Sequence, residues 1–155
     1  MKRATTGVLI GGGVAATLDI VYAFVMSAQA GISPTRVLQS VASGWLGKQA
    51  FDGGMPAAVL GLLSHYGILF VAAALYLAAS RRFPLLRHRA VTCGLVFGVG
   101  VYLFMNFVVV PLAAVPFELS YTPSKLAQGF LSHSVLVGLP IALAIRCYSP
   151  SEVRS

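Results

Sequence analysis

Long apolar stretches separated by short charged segments dominate the chain. Residues 53–80, 90–117 and 126–145 contain no Asp, Glu, Lys or Arg, and residues 4–35 contain only Asp19. About 20 apolar residues rising 1.5 Å each cross a hydrocarbon layer of about 30 Å. The pattern predicts transmembrane helices over 7–29, 56–80, 90–112 and 125–147. Buried strands run to about 4–8 residues, far short of these stretches. The expected fold is all-α, a four-helix transmembrane bundle of up-down topology forming one integral membrane domain over residues 1–155.

The segments between the spans carry turn and cap signals. Residues 30–55 make the one long connection, placed on the outer side. Ser33 followed by Pro34 is a helix start, a capping hydroxyl and then a ring with preset φ. Val37, Leu38, Val41, Trp45 and Leu46 share one face of the helix that follows. That pattern predicts a short amphipathic helix at the outer interface, with Trp45 at headgroup level. An ordered loop packed over the bundle mouth is the alternative. Asp52, Gly53, Gly54 and Pro56 restart the chain into the second span, Pro111 and Pro116 close the third, and Tyr121–Ser124 lead into the fourth. Lys2, Arg3 and the later Ala28-Gln29-Ala30 imitate a secretory signal with its cleavage site. The apolar stretch exceeds the usual 7–15 residues and contains Asp19, so a retained helix is expected.

Composition confirms the class: 57% of residues are apolar and 10% charged, against roughly 45–50% and about 25% in soluble domains. So few charges exclude a water-soluble globule. The balance of 11 Lys+Arg against 4 Asp+Glu, net +7, resembles that of a nucleic-acid binder only until the positions are read. With the N-terminus inside, Lys2, Arg3, Arg81, Arg82, Arg87, Arg89, Arg146 and Arg154 are cytoplasmic, leaving Arg36, Lys48 and Lys125 outside. This is the positive-inside bias of an inner (plasma) membrane protein with both termini cytoplasmic. It calls for a lipid bilayer as partner and for no nucleic acid. Cys93 and Cys147 lie near the cytoplasmic ends of spans three and four without a Cys-x-x-Cys motif, and read as inert apolar residues.

Polar side chains inside hydrocarbon are costly, about 2.5–3.5 kcal/mol for an ionised one on insertion scales. Four stand out: Asp19, His65, Asn106 and His133, one per span. At 1.5 Å per residue all fall roughly 9–15 Å below the outer surface. Each shares a face with small residues at helical spacing: Gly12, Ala16 and Asp19; Ala57, Gly61 and His65; Gly94, Gly98, Tyr102 and Asn106; Gly129, His133 and Val137. Such faces let helices approach closely, within the bundle or in a homodimer.

The cluster admits three readings. In the first, His65 and His133 bind a metal ion or haem, with Asp19 as a third metal ligand and Asn106 in support. In the second, Asp19 exchanges protons in a small proton-coupled transporter of a small ligand. In the third, all four are interhelical hydrogen bonds of a structural membrane protein. Neither a Ser-His-Asp order nor a Gly-x-Ser-x-Gly turn occurs, so an enzyme is not expected.

Three further pieces are Ser64-His65 opening an apolar helix that ends at Tyr76 and Arg81-Arg82-Phe83-Pro84; a Gly94/Gly98 helix running to Asn106 and Pro111-Leu112; and Ser132-His133 early in the last helix. Across residues 60–145 this resembles the YagU-like family of small bacterial inner-membrane proteins. The resemblance implies four helices, a bacterial inner membrane and an association with acid tolerance. The chain departs from the family pattern at Asn106, where the family carries a histidine late in the third helix.

Overall fold

A computed structural model describes residues 2–116 and 121–148; Arg154, assigned above to the cytoplasmic side, lies outside the described residues. Within them every regular element is helical. Four helices are long and apolar enough to cross a membrane: Arg3–Ala28, Gly54–Arg82, Ala90–Leu112 and Pro123–Tyr148. We label the elements α1 (Lys2–Ala28), α2 (Pro34–Leu46), α3 (Gly54–Arg82), α4 (Leu85–His88), α5 (Ala90–Leu112) and α6 (Pro123–Tyr148). A 3₁₀ turn, Gly47–Phe51, follows α2.

The helix ends follow from local chemistry. At the end of α1, Ile32 N–H bonds Ser27 O and Gly31 N–H bonds Ala28 O, with Gly31 at φ 71°. This is the Schellman arrangement, which needs a residue tolerant of positive φ. The Ala28-Gln29-Ala30 sequence is thus a helix terminus. Ser33 Oγ accepts from Arg36 N–H at 3.3 Å and Pro34 opens α2. Thr122 Oγ1 accepts from Lys125 N–H at 3.4 Å and Pro123 opens α6.

Helix α5 contains a π turn at Met105–Val109 and α6 another at His133–Gly138. Val110 N–H bonds Met105 O, and Leu139 N–H bonds Ser134 O, each five residues back. The next residue in each case is a proline, Pro111 or Pro140. Proline has no N–H to donate and its ring meets the carbonyl four residues earlier; widening the preceding turn relieves both problems without ending the helix.

Alanines fill much of the interior beside a few large side chains such as Tyr76, Ile141 and Ile145, and many large aliphatic residues face outward. Ala15, Ala16, Ala73 and Ala142 are fully buried, whereas Leu63, Val71, Leu75, Val96 and Leu131 are all more than half exposed. So much exposed aliphatic surface suits acyl chains, and closely approaching helices are the membrane mode of packing. Helix α1 packs on α3 and α6, α5 packs on α6, and α2 packs on α3. The seam between α5 and α6 is closely packed through glycine. A Cβ on Gly138 would strike Gly94 O and come within 2.5 Å of Gly98 N, and one on Gly98 would strike His133 O.

Helix α2 forms over Pro34–Leu46, where the Ser33-Pro34 signal predicts a helix start. It seats Val37, Ala42 and Ser43 toward the bundle and leaves Trp45 and Leu46 exposed. Its backbone lies directly on α3, because Gly61 has no side chain to hold off Leu38 O.

Candidate intramembrane polar site

The α1–α3 contact creates the first half of the site. Fully buried Ala16 lets α3 come close enough for His65 Nε2 to lie 2.9 Å from Ala16 O. A carbonyl only accepts, so Nε2 carries the hydrogen and Nδ1 is left with the lone pair. The same Nε2 is 4.0 Å from Asp19 Oδ2. His65 is buried and Asp19 partly so. Alongside, Thr17 Oγ1 donates to Gly13 O at 2.9 Å, so the 2.8 Å bond to Tyr66 is donated by the Tyr66 hydroxyl. The Tyr66 ring meets His65 edge-on, at 6.0 Å between centroids.

The α5–α6 seam supplies the second half. His133 Nδ1 lies 3.1 Å from Gly129 O and 3.3 Å from Ser132 Oγ. Ser132 gives its own hydrogen to Gly129 O at 3.2 Å. His133 Nδ1 must therefore donate, which leaves Nε2 as the open nitrogen. Tyr102 packs edge-on against the His133 ring at 5.1 Å, and its own ring fits against Gly129, where a Cβ would collide with it.

The structure thus brings Asp19 and His65 together across α1 and α3, while His133 is held on α6 by Gly129 O and flanked by Tyr102 of α5. Asn106 is placed elsewhere. Its Nδ2 donates to Tyr102 O at 2.9 Å on its own helix, and its backbone carbonyl accepts from Tyr121 Oη at 3.1 Å. It lines a cavity with residues of α2 and α3. The two imidazoles are held in opposite tautomers, each with one nitrogen tied to a helix carbonyl. The His65 nitrogen facing Asp19 is the protonated one. Among the described residues no three His, Cys, Asp or Glu side chains form a metal-ligating group.

The contacts of three contributors escaped the sequence reading. Tyr66 and Thr17 look like ordinary residues of a packed face until the α1–α3 register is known. Tyr102 falls on the Gly94/Gly98 face, but nothing in the spacing tells that its ring lies against His133. No protein-family model, curated protein or solved structure matches the chain.

Proposed function

We propose that the chain is a multi-pass inner-membrane protein that exchanges protons at Asp19, His65 and His133. In this reading the spans form an up-down bundle with both termini cytoplasmic, supported by the placement of Lys and Arg and by the opposed pairing along the seams. Gly94 lies against Ala142 and Gly129 against Tyr102.

The observation that carries the proton reading is the carboxylate of Asp19 beside a protonated imidazole nitrogen, 4.0 Å from His65 Nε2. A buried acid needs a counter-charge or a proton. Here a proton can reside on Asp19 or on the open Nδ1 of His65, with the open Nε2 of His133 as the next acceptor. A metal ion or haem has less support, because a ligand shared by Asp19 and His65 would take the nitrogen that now donates to Ala16 O. The helix-packing reading predicts that Asp19 matters for stability alone.

The test is proton flux into vesicles of purified protein carrying an internal pH-sensitive dye, driven by an imposed potential. Wild type is expected to dissipate the gradient, and Asp19→Asn, which keeps size and hydrogen bonding, to abolish flux while unfolding within a few degrees of wild type. Wild-type flux no greater than that of empty vesicles would overturn the proposal, as would full flux in Asp19→Asn.

A further inference from the structure

Three sides of the bundle are closed by seams, α3–α1, α1–α6 and α6–α5, whereas no comparable seam joins α3 to α5. Those two helices meet low down, where Tyr76 and Phe97 touch edge-on at 4.9 Å. Above that contact lies a cleft made of two adjoining cavities of about 620 and 630 Å³. They share Trp45, Ser64, Ile68, Phe104, Met105 and Val109. The lower cavity offers an occupant almost nothing polar, because Trp45 Nε1 is already bonded to Ser64 Oγ at 3.1 Å. Gly67 and Gly100 line it, and a Cβ on either would meet nothing within 4 Å.

The cleft changes character toward α2. The upper cavity includes Ser40 and Asn106, and Ser40 also lines a third cavity bearing Arg36 and Lys48. Arg36 is held there, its guanidinium 4.0 Å over the Phe51 ring and its Nη1 donating to Phe51 O at 3.3 Å. From Ser64 to Leu75 the apolar part rises about 16 Å at 1.5 Å per residue. That is about half of a 30 Å hydrocarbon layer, the depth of one leaflet. An occupant must be apolar over one leaflet's depth and anionic at the α2 end.

We infer that this cleft binds an anionic phospholipid of that leaflet, one acyl chain lying between α3 and α5 under Trp45 and the phosphate facing Arg36 and Lys48. The site is separate from the Asp19 cluster and does not depend on its function. Glycine at 67 and 100 leaves the chain its width, and the two cations choose the headgroup.

Trp45 is the single tryptophan and lines both the lower and the upper cavity, so it reports occupancy directly. The protein is reconstituted in phosphatidylcholine vesicles containing either phosphatidylglycerol or phosphatidylcholine brominated on the acyl chains, and Trp45 quenching is measured. Brominated phosphatidylglycerol is expected to associate about tenfold more strongly than brominated phosphatidylcholine, less than two cations would give additively because both are exposed to solvent. Lys48→Gln should lower that ratio about threefold and Arg36→Gln/Lys48→Gln should bring it near one. Gly67→Leu/Gly100→Leu, whose Cβ atoms have open space around them and whose side chains occupy the cleft, should remove the extra quenching while leaving the thermal midpoint near that of wild type. Equal quenching by the two lipids in wild type would overturn the inference, as would undiminished preference in the filled variant. Trp45 shielded from both lipids, together with a cross-linked dimer that the filled variant loses, would assign the cleft to a second copy and likewise overturn it.

Discussion

Gly98→Ala should destabilise the bundle, whereas Gly100→Ala, two residues along the same helix, should not. A Cβ at Gly98 would strike His133 O and lie 2.6 Å from Ser134 Cα. Carbon contacts are comfortable at about 3.5–4.0 Å, so α5 and α6 must part by roughly 1 Å. A gap of that size forfeits about a quarter to a half of the dispersion energy of each contact along the seam. Overpacking against yielding side chains costs about 1–3 kcal/mol. Both obstacles here are α6 backbone, which places Gly98→Ala at the upper end, near 3 kcal/mol or above. At Gly100 nothing lies within 4 Å of the added methyl. There the replacement only restricts the unfolded chain and improves helix propensity, a gain of up to about 1 kcal/mol. The assay is reversible unfolding in mixed micelles, each variant compared with wild type. The refuting result is equal stability of the two variants, or a Gly98→Ala protein as stable as wild type; either would mean that the seam is not held by backbone approach.

Two further outcomes follow from single interactions. Tyr76, buried in α3, donates from its hydroxyl to Leu86 O at 2.8 Å and ties α3 to the α4 turn; Tyr76→Phe should lower stability in the same unfolding assay by about 1–2 kcal/mol, because the carbonyl loses its partner. Pro140→Ala restores an N–H and should let the π turn of α6 anneal, turning the segment above it by about 100° at 3.6 residues per turn; helicity by circular dichroism should be kept and proton flux lost, and wild-type flux would separate the π turn from the site.

The spans were legible because charge is excluded from hydrocarbon for 20 residues at a time, and gaps between charges are visible without any alignment. Ser33-Pro34 and Thr122-Pro123 were legible because capping depends on adjacent residues. Counting along each helix orders Asp19, His65 and His133 within their spans. Their azimuth was harder, since it depends on which helices touch. Asn106 shows the limit. Spacing alone puts it on the face of Gly94, Gly98 and Tyr102, but it sits in a π turn and its amide is spent on Tyr102 O. A π turn adds one residue to a turn and leaves no mark on composition. Pro140, inside the fourth apolar stretch, signals a kink there, whereas Pro111 reads as the close of the third span.

The position of His133 is fixed by residues with no acid-base chemistry of their own. Pro140 causes the π turn, whose first residue is His133 and whose last is Gly138. Both ends of that turn are seated on α5, His133 O against Gly98 and Gly138 against the backbone of Gly94 and Gly98. The turn therefore cannot slide or rotate while the seam holds. Gly129 does two things at once: its carbonyl takes the Nδ1 hydrogen of His133, and its missing side chain admits the Tyr102 ring that flanks the imidazole. On the other side Ala16 plays the matching part, its carbonyl fixing the tautomer of His65 and its small side chain letting α3 approach. A polar group in hydrocarbon is useful only if its desolvation is met by a fixed partner and one atom stays open. The small residues and the proline supply that condition, so substitutions at Gly129 or Ala16 should disturb proton exchange as strongly as substitutions of the histidines they orient.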